Sequence, residues 1–456
     1  MVRIGSMASP KSRQTTTLDR RALMAGLGAV ALAPSWPAAG FAQSKPQGRP
    51  ALALQARADD LALRPNAPAT PIWALQGPEL RFGRGETVEI AFANELPVPA
   101  LLDCRGLDGV PAAEPLTGRV PLAVGARETL QLPLRHAGTF LYGLALLGDG
   151  QARPTQAQAL VVRESQPVAV DRDEVVLIED WRIRADGTAI APGIDPSDSV
   201  AVHTVNGKPS LNGKPSFELS GRINERLRLR LVNACQRSVI AVKLDGIEVR
   251  VMALDSQPAE PFQARNGALV IAPGGRVDVF IDVTGAPGTS YPILLHDGRN
   301  ARPIGQLTVS NEAPLRPALL PAAPPLPSNG LPAQIDLKGA SRLDLALGGP
   351  PAEWGTPATF SKTSPPAFRA KAGRAVVLAL TNRAAIATVF HLRGHHFRLL
   401  DRLDDGWKPF WLDTLAVEPG QTQRIAFSAE HAGHWLIEQV ATDWAAPRLV
   451  RWYDVA

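Results

Sequence analysis

We first ask whether this sequence could bind metal ions. The residue types that bind transition metals, histidine and cysteine, are scarce in it. The 456 residues include only 8 His and 2 Cys. His391, His395 and His396 lie close together in the sequence. In an alternating strand and the turn after it, their spacing does not place three rings on one face. The local sequence therefore does not predict a three-histidine metal site here.

Composition limits the kinds of protein that this chain can be. It has 39 Gly and 42 Pro, its aromatic fraction is 5%, and its apolar fraction is 45%. Frequent turns and few aromatic residues favour an all-β architecture, and the length suggests about three domains. Two cysteines exclude a disulfide scaffold and a cysteine-rich metal protein. The apolar runs are too short for a polytopic membrane protein.

A ten-residue pattern occurs three times and indicates where the domains lie. Gly85–Asn94, Asn224–Asn233 and Gly373–Asn382 each alternate apolar residues with period two and end in asparagine. Such alternation predicts a strand with one buried face. We therefore expect three tandem β-sandwiches at residues 50–165, 170–311 and 336–456, with a proline-rich linker at 312–335. Cys104 and Cys235 then lie in different domains, and we expect two buried free thiols.

The N-terminus has the features of an export signal. Arg20 and Arg21 precede a mostly apolar run from Ala22 to Ala33, which is too short to span a bilayer. A pair of arginines directly before such a run is typical of export by the twin-arginine translocase. We predict a signal peptide at residues 1–42 and a periplasmic protein that is not integral to the membrane. No basic stripe with interleaved aromatics indicates nucleic-acid binding.

Four segments carry a resemblance to a known family. Leu102–Leu107, Ala137–Ala145, Phe390–Phe397 and Gly433–Val440 resemble the four copper-binding segments of three-domain multicopper oxidases. The resemblance covers nearly the whole chain after the signal. It implies three cupredoxin-like Greek-key sandwiches, and an oxidase mechanism that uses one type 1 copper and a trinuclear copper cluster. Those coppers need imidazole and thiolate ligands.

Few of the ligand positions implied by the resemblance carry such side chains. Only His391 retains a family ligand at a trinuclear position. The neighbouring trinuclear positions are occupied by Asp103, Arg105, Arg393 and Glu438. The type 1 positions are occupied by Thr388, Gln439, Trp444 and Leu449. Because arginine has no lone pair to donate, we expect no cofactor, with copper unfavoured, and no catalytic residues.

The residues at the trinuclear positions suggest a different use of the same place. If the family geometry holds, Asp103, Arg105, Arg393 and Glu438 converge between the first and third domains. Two guanidiniums then pair with two carboxylates by bidentate hydrogen bonds. We predict an ion-pair cluster that joins these domains. The alternative is that these side chains are solvated and unrelated, as charged residues usually are.

Three functions remain open from the sequence. The first is a copper-free structural or interaction role in the cell envelope, supporting cell division through an envelope or division partner, as in the similar SufI-like group. Trp407 and Trp411, beside charged residues, would offer an interaction surface, or would instead fill the third sandwich. The second is an oxidoreductase or copper-binding protein with an unrecognised site. The third is a small-anion binding protein that uses Arg105 and Arg393.

Overall fold

The structure is a computed structural model that describes residues 51–147, 153–210, 215–298, 300–348, 353–401, 406 and 408–456. The signal predicted at residues 1–42 and Trp407 lie outside the described residues. Strands make up 51% of the described residues and helices 2%, so the all-β prediction is confirmed. Residues 49–456 form one compact unit. Among the described residues, no helix has the length and apolarity needed to cross a membrane.

The first sandwich packs two four-stranded sheets, with strand orders β2-β1-β4-β6 and β3-β8-β7-β5. A short 3-10 helix, Pro111–Ala113, follows its fifth strand. Its strands are β1 (Leu52–Leu61), β2 (Thr70–Gln76), β3 (Leu80–Gly83), β4 (Thr87–Asn94), β5 (Ala100–Arg105), β6 (Arg127–Pro133), β7 (Gly138–Leu146) and β8 (Gln158–Arg163).

The second sandwich has a seven-stranded sheet, β11-β10-β9-β13-β18-β15-β16, and a five-stranded sheet, β12-β20-β19-β14-β17. It contains the 3-10 helix Arg265–Gly267. Its strands are β9 (Arg172–Arg184), β10 (Ser199–Val205), β11 (Lys208–Pro209), β12 (Phe217–Gly221), β13 (Arg226–Asn233), β14 (Ile240–Leu244), β15 (Arg250–Leu254), β16 (Gln257–Gln263), β17 (Ala268–Ile271), β18 (Arg276–Asp282), β19 (Ser290–His296) and β20 (Ala301–Val309).

The third sandwich packs the sheets β21-β23-β27-β25 and β22-β29-β28-β24-β26. The 3-10 helix Pro357–Thr359 follows its first strand. Its strands are β21 (Ser341–Leu347), β22 (Arg369–Ala370), β23 (Ala375–Asn382), β24 (Thr388–Leu392), β25 (Arg398–Leu399), β26 (Thr414–Val417), β27 (Thr422–Ser428), β28 (Gly433–Ala441) and β29 (Arg448–Val455).

The three sandwiches repeat one topology around the motif strands β4, β13 and β23. Each motif strand pairs in parallel with the first strand of its sandwich, β1, β9 or β21, and antiparallel with β6, β18 or β27. The apolar residues of each motif strand are buried in the core of its own sandwich. The repeat in the sequence is therefore a repeat of the whole sandwich.

The terminal asparagine of each motif has the same structural task three times. Asn94, Asn233 and Asn382 are at most 1% exposed. Each side-chain Nδ2 donates to a main-chain carbonyl four or five residues onward, in the loop that follows, and to another in a more distant segment. Each Oδ1 accepts the amide N–H two residues onward. A buried loop needs such partners for its main-chain groups. The asparagine thus fixes the loop that leaves the strand.

The proline-rich segment 312–335 contains no strand and lies against the other sandwiches. Leu326 packs with Met252 and Phe280 of the second sandwich. Asn329 accepts from the Ala137 N–H at 2.9 Å and donates to the Ala137 carbonyl at 2.8 Å. The segment therefore contacts the second sandwich through Leu326 and the first through Asn329.

Candidate site between the first and third sandwiches

Strands β5, β24 and β28 position the predicted cluster. Asp103 and Arg105 are two residues apart at the end of β5, so their side chains leave the same face of the strand. His391 of β24 lies opposite Glu438 of β28 in the antiparallel register. Arg393 follows directly after β24. The structure therefore brings all four charged residues of the predicted cluster to one place.

The four side chains form a closed ring of alternating charge. The Arg393 guanidinium lies 2.6 Å from Asp103 Oδ1 and 2.5 Å from Glu438 Oε1. The Arg105 guanidinium lies 3.4 Å from Asp103 Oδ2 and 3.2 Å from Glu438 Oε2. Each carboxylate thus bridges both guanidiniums. Two members belong to the first sandwich and two to the third, so the ring joins the two domains.

The ring is buried, and its carboxylates remain ionised because both arginines lie beside them. The Glu438 side chain is 2% exposed and that of Arg393 5% exposed. Burial acts to raise the pKa of Asp103, but Arg393 and Arg105 outweigh it and hold the pKa below its usual value. Burial opposes ionisation of Glu438 in the same way, and Arg105 and Arg393 hold its pKa well below the usual range.

Glu114 is a buried acid next to the ring that the sequence did not indicate. It accepts the Leu436 N–H of the third sandwich at 3.4 Å. Burial raises its pKa to about 8, although Arg393 and this hydrogen bond act in the opposite direction. Glu114 is therefore mostly protonated at neutral pH and adds little charge to the ring.

His391 is the single histidine at a family ligand position, and it is buried beside the ring. Its Nδ1 lies 3.0 Å from Thr414 Oγ1. Burial and the neighbouring Arg105 lower its pKa to about 3. The imidazole is therefore neutral over the physiological pH range.

The residues at the type 1 positions each have their own contacts. The buried Thr388 donates to Asn382 Oδ1 at 3.2 Å, and Gln439 Oε1 accepts the Gly348 N–H at 2.7 Å. Trp444 Nε1 donates to the Ala191 carbonyl of the second sandwich at 3.1 Å. Leu449 packs against the core of the third sandwich. The four residues at the type 1 positions therefore pack and hydrogen-bond within the fold.

His395 and His396 are buried and take part in separate contacts. His396 Nδ1 lies 2.6 Å from Asp108 Oδ2, and its Nε2 lies 2.6 Å from the Asp255 carbonyl oxygen. Despite burial, Asp108 raises the pKa of His396 to about 9. His395 Nδ1 contacts the Tyr453 hydroxyl at 2.8 Å. In the described part of the chain, no cluster of three or more His, Cys, Asp or Glu side chains is arranged to hold a metal ion.

A second ionic network was missed in the sequence. The fully buried Arg276 of the second sandwich makes a bidentate pair with Asp413 of the third, at 2.8 and 2.7 Å. Arg228 and Arg230 share Asp278, which also accepts from Thr139 of the first sandwich. The sequence pattern that could have indicated this network lies in β13, where Arg226, Arg228 and Arg230 alternate with leucines.

The interaction surface predicted from tryptophans needs a correction at Trp411. Trp411 is only 6% exposed and packs with Leu400 and Ile335. The guanidinium of Arg398 lies 4.7 Å from its ring centroid. Because the ring is covered, Trp411 belongs to the third sandwich and its cover, as in the alternative interpretation. Trp407 lies outside the described residues.

A cavity of about 130 Å³ lies beside the ring and is lined by residues of all three sandwiches. Arg105 and His391 contribute to its wall. Arg393 does not line it, because its guanidinium is held between Asp103 and Glu438. The structure therefore does not bring Arg105 and Arg393, the two arginines predicted to hold an anion, into one cavity. Arg105 lines the cavity, whereas Arg393 pairs within the ring.

Comparisons with known proteins define the family. Sequence models described as multicopper oxidase match residues 173–315 and 334–453, together more than half of the chain. The structure superposes on a multi-copper oxidase from Pseudomonas thermotolerans with a TM-score of 0.75 at 25% identity, covering 89% of this chain and 98% of that one. A Lac15 structure from a marine microbial metagenome gives a TM-score of 0.72, also at 25% identity, with 89% and 100% covered. The chain belongs to the multicopper oxidase superfamily.

Curated relatives match more distantly. Laccase-8 of Oryza sativa subsp. japonica is 25% identical over 62% of this chain and 54% of its own length. Copper resistance protein A of Pseudomonas syringae pv. tomato is 24% identical over 55% and 47%. The chain spans about half the length of the curated relatives that it matches.

The expectation of no cofactor is wrong in the light of these comparisons. The matching families and structures are copper proteins by their names, so copper is the cofactor that the family implies. The charge ring nevertheless does not fit a trinuclear cluster. Arg105 and Arg393 are cations without donor lone pairs, and they already hold the oxygens of Asp103 and Glu438. We therefore derive no chemical step through copper at the ring.

Proposed function

We propose that this protein of multicopper-oxidase fold has a structural or protein-interaction role in the cell envelope. Its interdomain ring holds the first and third sandwiches together, at the positions where the family resemblance implies a trinuclear copper cluster.

The observation that carries the proposal is the ring of Arg393, Asp103, Arg105 and Glu438. Its contacts of 2.5 to 3.4 Å use the side chains of both domains for one another. Buried ion pairs add little net stability over apolar packing, but they are costly to break singly. Such a ring suits a fixed interface between the first and third sandwiches, because its charged groups are already paired with one another.

A laccase-type oxidase is the second candidate, because laccases and multicopper oxidases are among the relatives. The two functions are separated by producing the full chain with copper in the medium and reconstituting it with copper. Copper content and oxygen consumption with a phenolic substrate are then measured on the same sample. We expect no oxygen consumption above that of free copper. Turnover that is proportional to the bound copper would favour the oxidase.

Export to the periplasm through the twin-arginine translocase is part of the proposal. It is supported by Arg20 and Arg21 directly before the apolar run at residues 22–33. Replacing both with Lys should retain the protein in the cytoplasm, where fractionation and immunoblotting would detect it. Arg3→Lys with Arg13→Lys is the matched control, and this variant should still be exported.

The partner is proposed to be an envelope or division protein, as in the SufI-like group. Cells lacking the protein should divide poorly under envelope stress, which microscopy of cell length measures. The wild-type chain and an Arg105→Lys variant should both restore normal division, because Lys keeps the charge of the ring. Restoration only by a copper-loaded chain with measurable oxidase turnover would contradict the structural role.

A further inference from the structure

His203 of β10 is a buried histidine whose ring has no hydrogen-bond partner among the described residues. The residue is 3% exposed. Neither Nδ1 nor Nε2 makes a hydrogen bond within the part of the chain that the structure describes. The large majority of buried polar side-chain atoms in folded proteins have at least one partner. The ring of His203 is therefore available to form a new contact if its charge changes.

Asp180 of β9 lies directly opposite His203 in the antiparallel register. Residues that are opposite in such a pair direct their side chains to the same face, with Cβ atoms about 5 Å apart. Two residues away on each strand, Ile178 lies opposite Val205, and both side chains belong to the core of the second sandwich. His203 and Asp180 therefore face the same interior, beside this core.

The Asp180 carboxylate holds the loop that follows β13. Its Oδ1 accepts the Gln236 N–H at 2.7 Å, and its Oδ2 accepts the Ser238 hydroxyl at 2.7 Å. Between these two residues, Arg237 donates to the Ala446 carbonyl of the third sandwich at 3.0 Å. Asp180 therefore fixes a loop that contacts the third sandwich.

Arg182 makes a second contact with the third sandwich from the same strand. Its guanidinium carbon lies 5.6 Å from the ring centroid of Trp444, which is within the range of a cation–π interaction. Arg182 and Asp180 are two residues apart on β9, so their side chains leave the same face of the strand. A charge on His203 therefore acts on both contacts with the third sandwich.

The ring of His203 is uncharged at neutral pH. Burial lowers its pKa below the ordinary value of 6.5, although Asp180 acts in the opposite direction. Arg302 and Arg182 lower the pKa further, whereas Asp297 raises it. Arg302 and Asp297 form an ion pair with each other beside the turn between β19 and β20. The surroundings of His203 in the structure therefore favour the neutral ring.

We propose that His203 and Asp180 form an acid-sensitive switch of the contact between the second and third sandwiches. Protonation gives the imidazolium two N–H donors, and Asp180 lies directly opposite as an acceptor. Pairing with His203 draws the carboxylate away from Gln236 and Ser238 and releases their loop. The same positive charge repels Arg182. The structure is the closed form of this switch, and in the released form both contacts with the third sandwich are loosened, whether or not the ring has an envelope role.

The released form is expected in mild acid. Its imidazole binds a proton near the ordinary pKa of 6.5, whereas burial opposes protonation in the closed form. The closed form is therefore fully favoured above about pH 6.5 and loses this advantage as the pH falls below that value. Between pH 7.5 and pH 5, the ratio of released to closed protein should rise by roughly tenfold.

Hydrogen–deuterium exchange of the purified full chain at pH 5 and pH 7.5, followed by mass spectrometry, tests the switch. Each exchange rate is divided by the intrinsic rate of the amide at that pH. Peptides that cover residues 234–238 and 443–447 should lose protection by roughly tenfold at pH 5. Peptides from β4 in the first sandwich report global unfolding and should stay protected. Unchanged protection of residues 234–238, or an equal loss in β4, would overturn the proposal.

Variants of His203 assign the pH response to its ring. His203→Gln and His203→Leu cannot be protonated, and residues 234–238 should stay protected at pH 5 in both. Leu has no polar group that needs a partner, so this second variant does not depend on how a buried amide is accommodated. His434→Gln is the matched control, since His434 is half-exposed and lies 3.3 Å from Asp454. It should respond to pH as the wild-type chain does. A response that persists in the His203 variants, or that disappears in His434→Gln, would contradict the assignment.

Discussion

The guanidinium of Arg393 lies 2.6 Å from the carboxylate of Asp103, across 290 residues of sequence and between two sandwiches. The same guanidinium lies 2.5 Å from Glu438 in its own sandwich. Arg393 is therefore the member of the ring with the shortest contacts to both domains. Its removal leaves two buried carboxylates with only Arg105 between them.

Replacing Arg393 with Met should destabilise the protein by about 3 to 5 kcal/mol, because it leaves buried charge without its partner. Denaturant unfolding followed by tryptophan fluorescence measures the change. Protease resistance of the native protein should also fall, because the first and third sandwiches separate more easily.

Arg451→Met is the control for loss of an arginine in the same domain. Arg451 pairs with the exposed Glu353 at 3.2 Å, and such surface pairs contribute about 0 to 1 kcal/mol. An Arg393→Met protein as stable and as protease-resistant as this control would show that the ring does not hold the domains.

Glu114→Gln should make the protein more stable at alkaline pH. Burial raises the pKa of Glu114 to about 8 from an ordinary 4.5, so the unfolded chain releases this proton first. The favourable contribution of the protonated form is complete below about pH 4.5 and is lost as pH rises to about 8. Gln retains a neutral amide of the same shape, so the variant lacks this loss.

The measurement is the free energy of unfolding of both proteins from pH 5 to 9. The wild-type curve should fall more steeply than that of Glu114→Gln. His396, with its pKa raised to about 9, contributes an alkaline loss to both proteins and cancels in the difference. Parallel curves would mean that Glu114 is ionised in the folded protein.

The fold could be predicted because its signal is local and repeated. Alternating apolar residues in β4, β13 and β23 define strands, and the final asparagine of each motif serves the loop beside it. Both effects act over a few residues, so the sequence displays them directly. The ring could be placed only through the family resemblance, since Asp103 and Arg393 meet across the whole fold.

Other parts of the site depend on contacts that no local pattern encodes. Glu114 becomes neutral because the third sandwich covers it, and Arg276 meets Asp413 only after the second and third sandwiches pack. The arginines of β13 alternate visibly, but an alternating charged face usually indicates solvent. Trp411 is buried although charged residues lie near it in the sequence, so nearby charge did not correctly predict an exposed ring.

The two cysteines should be unreactive in the native protein. Cys104 and Cys235 are free and buried, as expected from their separation. Burial raises the pKa of Cys104 to about 12 and that of Cys235 well above its usual value. Since the thiolate is the reactive form, a thiol reagent at pH 8 should label neither residue rapidly.

Unfolding in denaturant should expose both thiols to the same reagent, with two labels per chain detected by mass spectrometry. The comparison of native and unfolded samples controls for the reagent itself. Rapid labelling of Cys235 in the native protein would mean that the cavity admits the reagent, since Cys235 lines it.

We expect Asn233 and Asn382 to contribute similar amounts to the free energy of unfolding, although they lie in different sandwiches. Asn382 donates to the carbonyls of Ile386 and Val417 at 2.8 Å and accepts the Ala384 N–H at 2.9 Å. Asn382→Ala leaves these buried main-chain groups without partners, which costs about 1 to 3 kcal/mol for each group that water cannot reach. Asn233→Ala should cost a similar amount, because Asn233 makes the same three contacts in the second sandwich. Unfolding free energies of both variants, measured against the exposed Asn300→Ala, test whether one local device holds each sandwich. A large effect in one sandwich and none in the other would show that the repeated sequence has lost its shared role.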